Sequence, residues 1–247
     1  MAIVRVKRFT SWSNSRLNDY DPTAGGCPAK ARYKYLDKIP EPKSEAMERG
    51  TKIHTLCEEY IKGTKRNLPV ELILFKAEFK RIRAAYKAGA MSTVFIEETW
   101  GFNVRWETVR WDDWTNCWLR VKLDLAELGD GGDTLYITDF KTGKFRPEKN
   151  EDYMSQLELY GLAGLLRFPT VKDVRARLLY LDHGVIYPEA DTTGAWVIHP
   201  RAKLPALVKK WEKRVKPMFA DTLFKPQPGN ACRWCAYTAD KGGPCVF

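Results

Sequence analysis

An aspartate and a lysine stand two positions apart near the end of an apolar run, Tyr136-Ile137-Thr138-Asp139-Phe140-Lys141-Thr142-Gly143. The stretch from Thr134 to Phe140 reads as a strand, in which residues i and i+2 share a face. Carboxylate and ammonium then leave the strand side by side as it enters the Gly143 turn. An oxygen ligand for a hard cation, next to a positive charge for a phosphate, is what metal-assisted phosphodiester hydrolysis requires. Alone, such a triplet more often marks a solvated ion pair at a strand end. Its companions decide between the two.

Asp124 interrupts the apolar alternation of Val121-Lys122-Leu123-Asp124-Leu125. A carboxylate inside a strand is costly to bury unless it meets a cation or hydrogen-bond donors, so Asp124 is either a metal ligand or half of a structural salt bridge. His54 falls with Gly50, Cys57 and Ile61 at helical spacing, which sets one imidazole among small and apolar neighbours. A satisfied core histidine fits that pattern as well as a ligand does. Gln156 and Tyr160 lie four apart on the helix expected after the Asp139 strand. They share a face that points towards the strand's end, although such a pair is also ordinary in an amphipathic helix.

The elements that must position these residues follow from caps and periodicity. A helix starts near Ser11 or Ser13 and is interrupted by Pro22 and Gly25-Gly26; a short basic one runs from Ala29 to Leu36. Ser44, followed by Glu45 and Glu48, caps a longer helix that ends at about Lys62, before Gly63. Val70 to Ala88 reads as a further helix. Val94 to Val104 and Cys117 to Leu128 read as an antiparallel pair around an aromatic loop. After the Asp139 strand come a helix from about Tyr153 to Leu166, strands at Val174 to Leu181 and Ala195 to Ile198, and a helix from Leu204 to Met218. Helices, then strands, then a helix and further strands describe an α/β or α+β chain around a mixed sheet.

Composition narrows the partners. The 247 residues carry 41 Lys and Arg against 31 Asp and Glu, a formal charge of +10. Phosphate neutralisation is the sequence-independent part of nucleic-acid affinity, so a polyanionic partner such as DNA is expected. Mean hydropathy is -0.44, and no apolar run approaches the roughly 18 residues of a membrane span. Met1 to Trp12 has neither a continuous apolar region nor a small-residue cleavage site, so a cytoplasmic location with reduced thiols is expected. The six cysteines are then metal ligands or core residues rather than disulfides. Cys232, Cys235 and Cys245 form a compact set, with Cys27 far upstream, while Cys57 and Cys117 sit in apolar patterns. Four thiolates suit an iron–sulfur cluster or tetrahedral zinc. Arg16, Lys144 and Arg146 are candidates for backbone contact, and Trp111 and Trp114, at a loop tip, for stacking on bases. A small aromatic cluster closing a hairpin accounts for those two tryptophans equally well.

The ordered pieces are Ser11-Trp12-Ser13-Asn14-Ser15-Arg16-Leu17, Cys27-Pro28, Gly50-Thr51-Lys52-Ile53-His54, Lys122-Leu123-Asp124, Asp139-Phe140-Lys141-Thr142-Gly143-Lys144 and Gln156-Leu157-Glu158-Leu159-Tyr160. In that order they resemble the RecB-like nuclease branch of the PD-(D/E)xK superfamily, over most of the chain. The resemblance implies a restriction-endonuclease-like core in one domain, with an N-terminal helical part to residue 90, a catalytic sheet over 91–200 and a cysteine-stapled tail over 201–247. It implies that His54, Asp124, Asp139 and the backbone carbonyl of Phe140 hold one or two Mg²⁺ or Mn²⁺ ions, and that Lys141 orients water or offsets charge. Gln156 and Tyr160 would position the strand and the attacking water. Members often add a Glu on the preceding strand. Glu97 and Glu98 are candidates, alternation does not choose between them, and Glu98 is preferred. A subset of the family holds a 4Fe-4S cluster with one early and three late cysteines, matched here by Cys27, Cys232, Cys235 and Cys245, although the nine residues between the last two are a longer gap than usual; structural Zn²⁺ is the alternative. The implied activity is a DNA nuclease, an exonuclease on single-stranded or end-frayed DNA with 5′→3′ polarity favoured, with a helicase or recombination partner. A catalytically silent DNA-binding subunit and a structure-specific endonuclease are the rivals.

Overall fold

The computed structural model describes residues 7–88, 93–190, 192 and 194–247; the division expected at residues 90 and 91 lies outside them. Four helices come first: α1 (Asn14–Tyr20), α2 (Pro28–Ala31, continued by a π-helical turn over Arg32–Leu36), α3 (Glu45–Lys62) and α4 (Lys76–Lys87). The caps expected from the sequence are in place. Ser13 accepts from the Arg16 N–H at the start of α1, and Ser44 from the Met47 N–H at the start of α3. Gly63 closes α3 in the left-handed region at φ 87°, where a side chain would be strained. Val70–Phe75 is 3-10 rather than α-helical, so the expected helix over Val70 to Ala88 is split at Phe75.

The sheet is built from β1 (Val94–Phe102), β2 (Thr108–Val109), β3 (Leu119–Leu128), β4 (Thr134–Lys141), β5 (Asp173–Tyr180), β6 (Val185–Tyr187) and β7 (Val197–Pro200). Helix α5 (Asn150–Arg167) crosses from β4 to β5, and α6 (Leu204–Ala220) follows β7. The strand order is β2-β1-β3-β4-β5-β6, and β7 also pairs with β5. Only β4 and β5 run parallel among the described pairs, joined by α5; the rest are antiparallel. That is the mixed α/β architecture expected. The three-residue β6 was not foreseen, being too short to show alternation. Helix α5 begins a turn before Tyr153; Glu151 and Asp152 in its first turn complement the helix dipole.

Apolar cores fill both faces of the sheet. On one, Ile53, Cys57 and Ile61 of α3 and Phe79 and Ile82 of α4 meet Val94, Ile96, Leu125, Phe140 and Leu179. On the other, Leu157, Leu162 and Leu165 of α5 and Trp211 and Val215 of α6 meet Leu123, Ile137, Ala176 and Leu178. No described helix is long and apolar enough to cross a membrane.

Strand alternation fails within β1, and that place matters. Phe95 and Trp100, five residues apart, both pack on Phe168, with ring centroids at 5.5 and 5.7 Å. An odd separation on one face requires a break between them. It lies at Glu97, whose φ is 54°. The β1–β3 ladder runs from Ile96↔Leu125 to Glu98↔Leu123 without pairing Glu97 to Asp124.

Candidate active site

Strands β3 and β4 part where the acidic residues stand. Their last ladder pair is Leu125↔Thr138, whereas β4 continues along β5 to Lys141↔Tyr180. Asp124 fills the gap. Its Oδ2 accepts the Phe140 N–H at 2.6 Å, and its Oδ1 lies 3.0 Å from His54 Nδ1 on α3. Asp124 is buried, and its pKa is raised by that burial and then by the charge of Asp139.

The broken alternation brings in a third side chain. Glu97 turns towards α3, with Oε1 3.6 Å from His54 Nδ1. One ligand atom each from His54, Glu97 and Asp124 lies within 4.8 Å of the others. This corrects the preference for Glu98, which the left-handed residue before it leaves out of the group. The correction was not legible in the sequence, because a regular strand would give no sign of a positive φ at a glutamate. Burial alone would lower the pKa of His54; hydrogen bonds to Asp124 and Glu97 overcome it and push the value up to about 10.

Asp139 is held from the other side. Tyr160 donates a short hydrogen bond to Asp139 Oδ1, and Gln156 Nε2 reaches the same oxygen at 3.2 Å and the Tyr160 hydroxyl at 2.8 Å. The face shared by Gln156 and Tyr160 thus meets the strand end, and it grips the carboxylate directly. Helix α5 comes this close through two glycines. A Cβ on Gly161 would lie 2.3 Å from the His199 ring, and one on Gly164 2.8 Å from Leu135. The ammonium of Lys141 lies 2.7 Å from Asp139 Oδ2 but out of hydrogen-bonding alignment, so this buried oxygen has no hydrogen-bond donor.

His54, Glu97 and Asp124, with Asp139 on the adjoining strand, make a set of carboxylate oxygens and an imidazole nitrogen. Oxygen and imidazole donors of this kind fit a hard divalent cation, with the imidazole tilting the preference towards Mn²⁺. A model of the PD-(D/E)XK nuclease superfamily matches residues 11–239. The chain belongs to that superfamily. One solved structure, a "Putative exonuclease" from Eubacterium rectale, is 13% identical with a TM-score of 0.49, over 96% of this chain and 89% of that one; at that level the likeness carries no argument. No curated protein matches the chain significantly. The sheet and its flanking helices are accordingly a restriction-endonuclease-like core, and membership implies a metal-dependent nuclease acting on DNA.

The loop after the nuclease motif is fastened at its middle. Phe145 packs on Tyr153, Tyr180 and Tyr187 at 6.0, 5.0 and 6.1 Å, which leaves Lys144 and Arg146 on either side exposed, with no ion pair among the described residues. Asp182 Oδ2 accepts the Gly143 N–H at 2.7 Å, and Arg49 binds both oxygens of Asp182 at 2.6 and 2.8 Å. Neither Asp182 nor Arg49 was marked by its sequence context.

Arg16, expected as a backbone contact, is corrected. Its guanidinium is committed to the carbonyl and hydroxyl of Ser11 at 2.7 and 2.8 Å and lies over the Tyr35 ring at 4.8 Å. Burial lowers its pKa. Trp114 is 76% exposed, with the Arg120 guanidinium 4.3 Å from its ring, while Trp111 is half-buried. Trp12, Trp106, Trp118 and Trp211 form an aromatic core instead.

All four cysteines singled out line one pocket beside α2, together with Tyr33, Trp234 and Tyr237. None is in a disulfide. Tyr237 packs on Tyr33 and donates to the Ile39 carbonyl at 3.1 Å, which ties the tail to the N-terminal helices. Cys57 and Cys117 are buried, as their patterns indicated.

Proposed function

We propose that this nuclease is an exonuclease on single-stranded or end-frayed DNA, with 5′→3′ polarity as the resemblance favours, and that residues 1–247 act as one nuclease domain. The observation that carries the catalytic assignment is the trio His54, Glu97 and Asp124, with one ligand atom each within 4.8 Å of the others, together with the buried Asp139 carboxylate, oriented by Tyr160 and Gln156 and close enough that its charge raises the pKa of Asp124. These four side chains and the Phe140 carbonyl would hold the cation. A Mg²⁺ or Mn²⁺ ion bound there supplies Lewis acidity, lowering the pKa of water and offsetting charge on the phosphate. Tyr160 and Gln156 fix one oxygen of Asp139, so the other would be the one available to an ion. Lys141, beside that carboxylate at 2.7 Å, would offset negative charge developing on the reacting phosphate. Lys144, Arg146 and Trp114 hold the strand, the lysine and arginine by phosphates and the tryptophan by stacking.

For the cysteine pocket the 4Fe-4S reading is favoured over zinc. The support is the resemblance, in which one early and three late cysteines hold such a cluster, and the shared pocket that Cys27, Cys232, Cys235 and Cys245 line.

The deciding experiment is Mn²⁺-dependent digestion of end-labelled single- and double-stranded DNA, linear and circular, with Lys141→Ala as control. Stepwise loss from the 5′ end of linear single strands is expected, while Lys141→Ala keeps DNA binding and loses cleavage. Cutting of a single-stranded circle would establish an endonuclease instead, and metal-independent inertness would leave the DNA-binding subunit. Stimulation by a strand-separating helicase would support such a partner.

A further inference from the structure

We propose that Lys122 is a releasable counter-ion of the metal pocket: it neutralises Glu97 while no cation is held, and is freed to bind a DNA phosphate at the pocket mouth when the cation claims Glu97. The inference rests on the nuclease reading and assigns a substrate-binding role to a residue outside the proposed catalytic set.

Lys122 precedes Asp124 by two on β3, so both point to the α3 side of the sheet. Its Nζ lies 2.7 Å from Glu97 Oε2, and its side chain is 60% exposed where that of Glu97 is 16%. The two line a cavity of about 360 Å³ with Gly50, Thr51, His54 and Glu58. Glu58, the other carboxylate on this wall, is taken by Lys62 at 2.6 Å. Once Glu97 turns to an ion, Lys122 has no free carboxylate on that wall to return to. A long flexible stem then carries its charge to solvent at the opening.

The charge count points the same way. Glu97, Asp124 and Asp139 contribute three negative charges, and Lys122 and Lys141, each 2.7 Å from one of them, contribute two positive ones. Once a divalent ion is bound and the imidazole is neutral, as a ligand must be, the group carries one net positive charge. That surplus matches a single phosphodiester. Strand binding therefore becomes conditional on the metal, through an ammonium that the metal itself displaces.

The test is fluorescence anisotropy of a labelled single-stranded oligonucleotide across a salt series, with Ca²⁺ or with EDTA, for wild type, Lys122→Gln and Lys122→Arg. With Ca²⁺, Lys122→Gln is expected to lower the log–log salt slope by about 0.7, one phosphate contact on a single strand. Lys122→Arg should restore it, and with EDTA all three proteins should agree. Calorimetry without DNA should show Lys122→Gln binding Mn²⁺ several-fold more tightly, its competitor being gone. Equal slopes in Ca²⁺, or a slope lowered equally in EDTA, would overturn the inference while a cleaving wild type kept the nuclease reading. A wild type that neither binds Mn²⁺ nor cleaves would bring down both.

Discussion

Tyr160 on α5 donates to one oxygen of Asp139 on β4 and leaves the other, Oδ2, buried without a donor. The phenol is fully enclosed; burial first, and then the Asp139 charge, push its pKa well above the ordinary tyrosine value, so it stays a donor. A helix that approaches through Gly161 and Gly164 thus fixes the aim of a carboxylate on β4.

Tyr160→Phe removes that aim without removing the ring. Outer hydrogen bonds to metal ligands are typically worth 10–100-fold in affinity or activity. A Mn²⁺ titration followed by calorimetry should weaken by about that range, with little change in the circular dichroism spectrum. Unaltered affinity would mean that Asp139 is oriented by Gln156 alone.

Glu97 and Glu98 separate cleanly. Glu97→Gln should lower Mn²⁺ affinity and cleavage together, because it takes the negative charge from one of the three groups whose ligand atoms lie within 4.8 Å of one another. Glu98→Gln should leave both within twofold or so of wild type, as expected for a substitution away from the site. The reverse pattern would show that β1 regains regular alternation when metal binds.

Anaerobically purified protein should be brown, absorb broadly near 400 nm as iron–sulfur clusters do, roughly placed, and lose the colour in Cys235→Ala. Loss of the cluster should also loosen the tail, seen as faster proteolysis after Pro226. Colourless protein with stoichiometric zinc would favour the alternative ion.

Acid stability provides a test away from the site. His199 is buried with an unpartnered Nε2, and burial, helped by Lys203 and Lys210 against Glu158, lowers its pKa to about 4. The folded state therefore resists a proton that the unfolded chain accepts below about pH 6.5. This contribution is fully present above that value and is lost as pH falls towards 4. Between pH 7 and 5 the loss is about 2 kcal/mol. Urea denaturation should show His199→Gln losing less stability over this interval than wild type. An equal loss in both would assign the acid sensitivity to other groups.

Much of the architecture was legible beforehand. Ser44 and Gly63 bracket α3 as their types dictate, and the period of two put Asp139 and Lys141 on one face, where they meet at 2.7 Å. The helical period likewise put Gln156 beside Tyr160. These are relationships within a few residues, which backbone geometry alone enforces.

The rest depends on contacts between distant segments. Arg16 looked free for phosphate and is instead enclosed between Ser11 and Tyr35. Glu97 rather than Glu98 joins His54 because one residue adopts a positive φ against the ordinary preference of its type, which only the packing of Phe95 and Trp100 on Phe168 reveals. The amino-acid sequence by itself determined which residues could do chemistry and the local faces they share. The tertiary structure decided which carboxylate joins the imidazole, how β3 and β4 part to admit Asp124, and that Cys27 meets Cys232, Cys235 and Cys245. Those outcomes are set by how separate elements pack, and no local period encodes them.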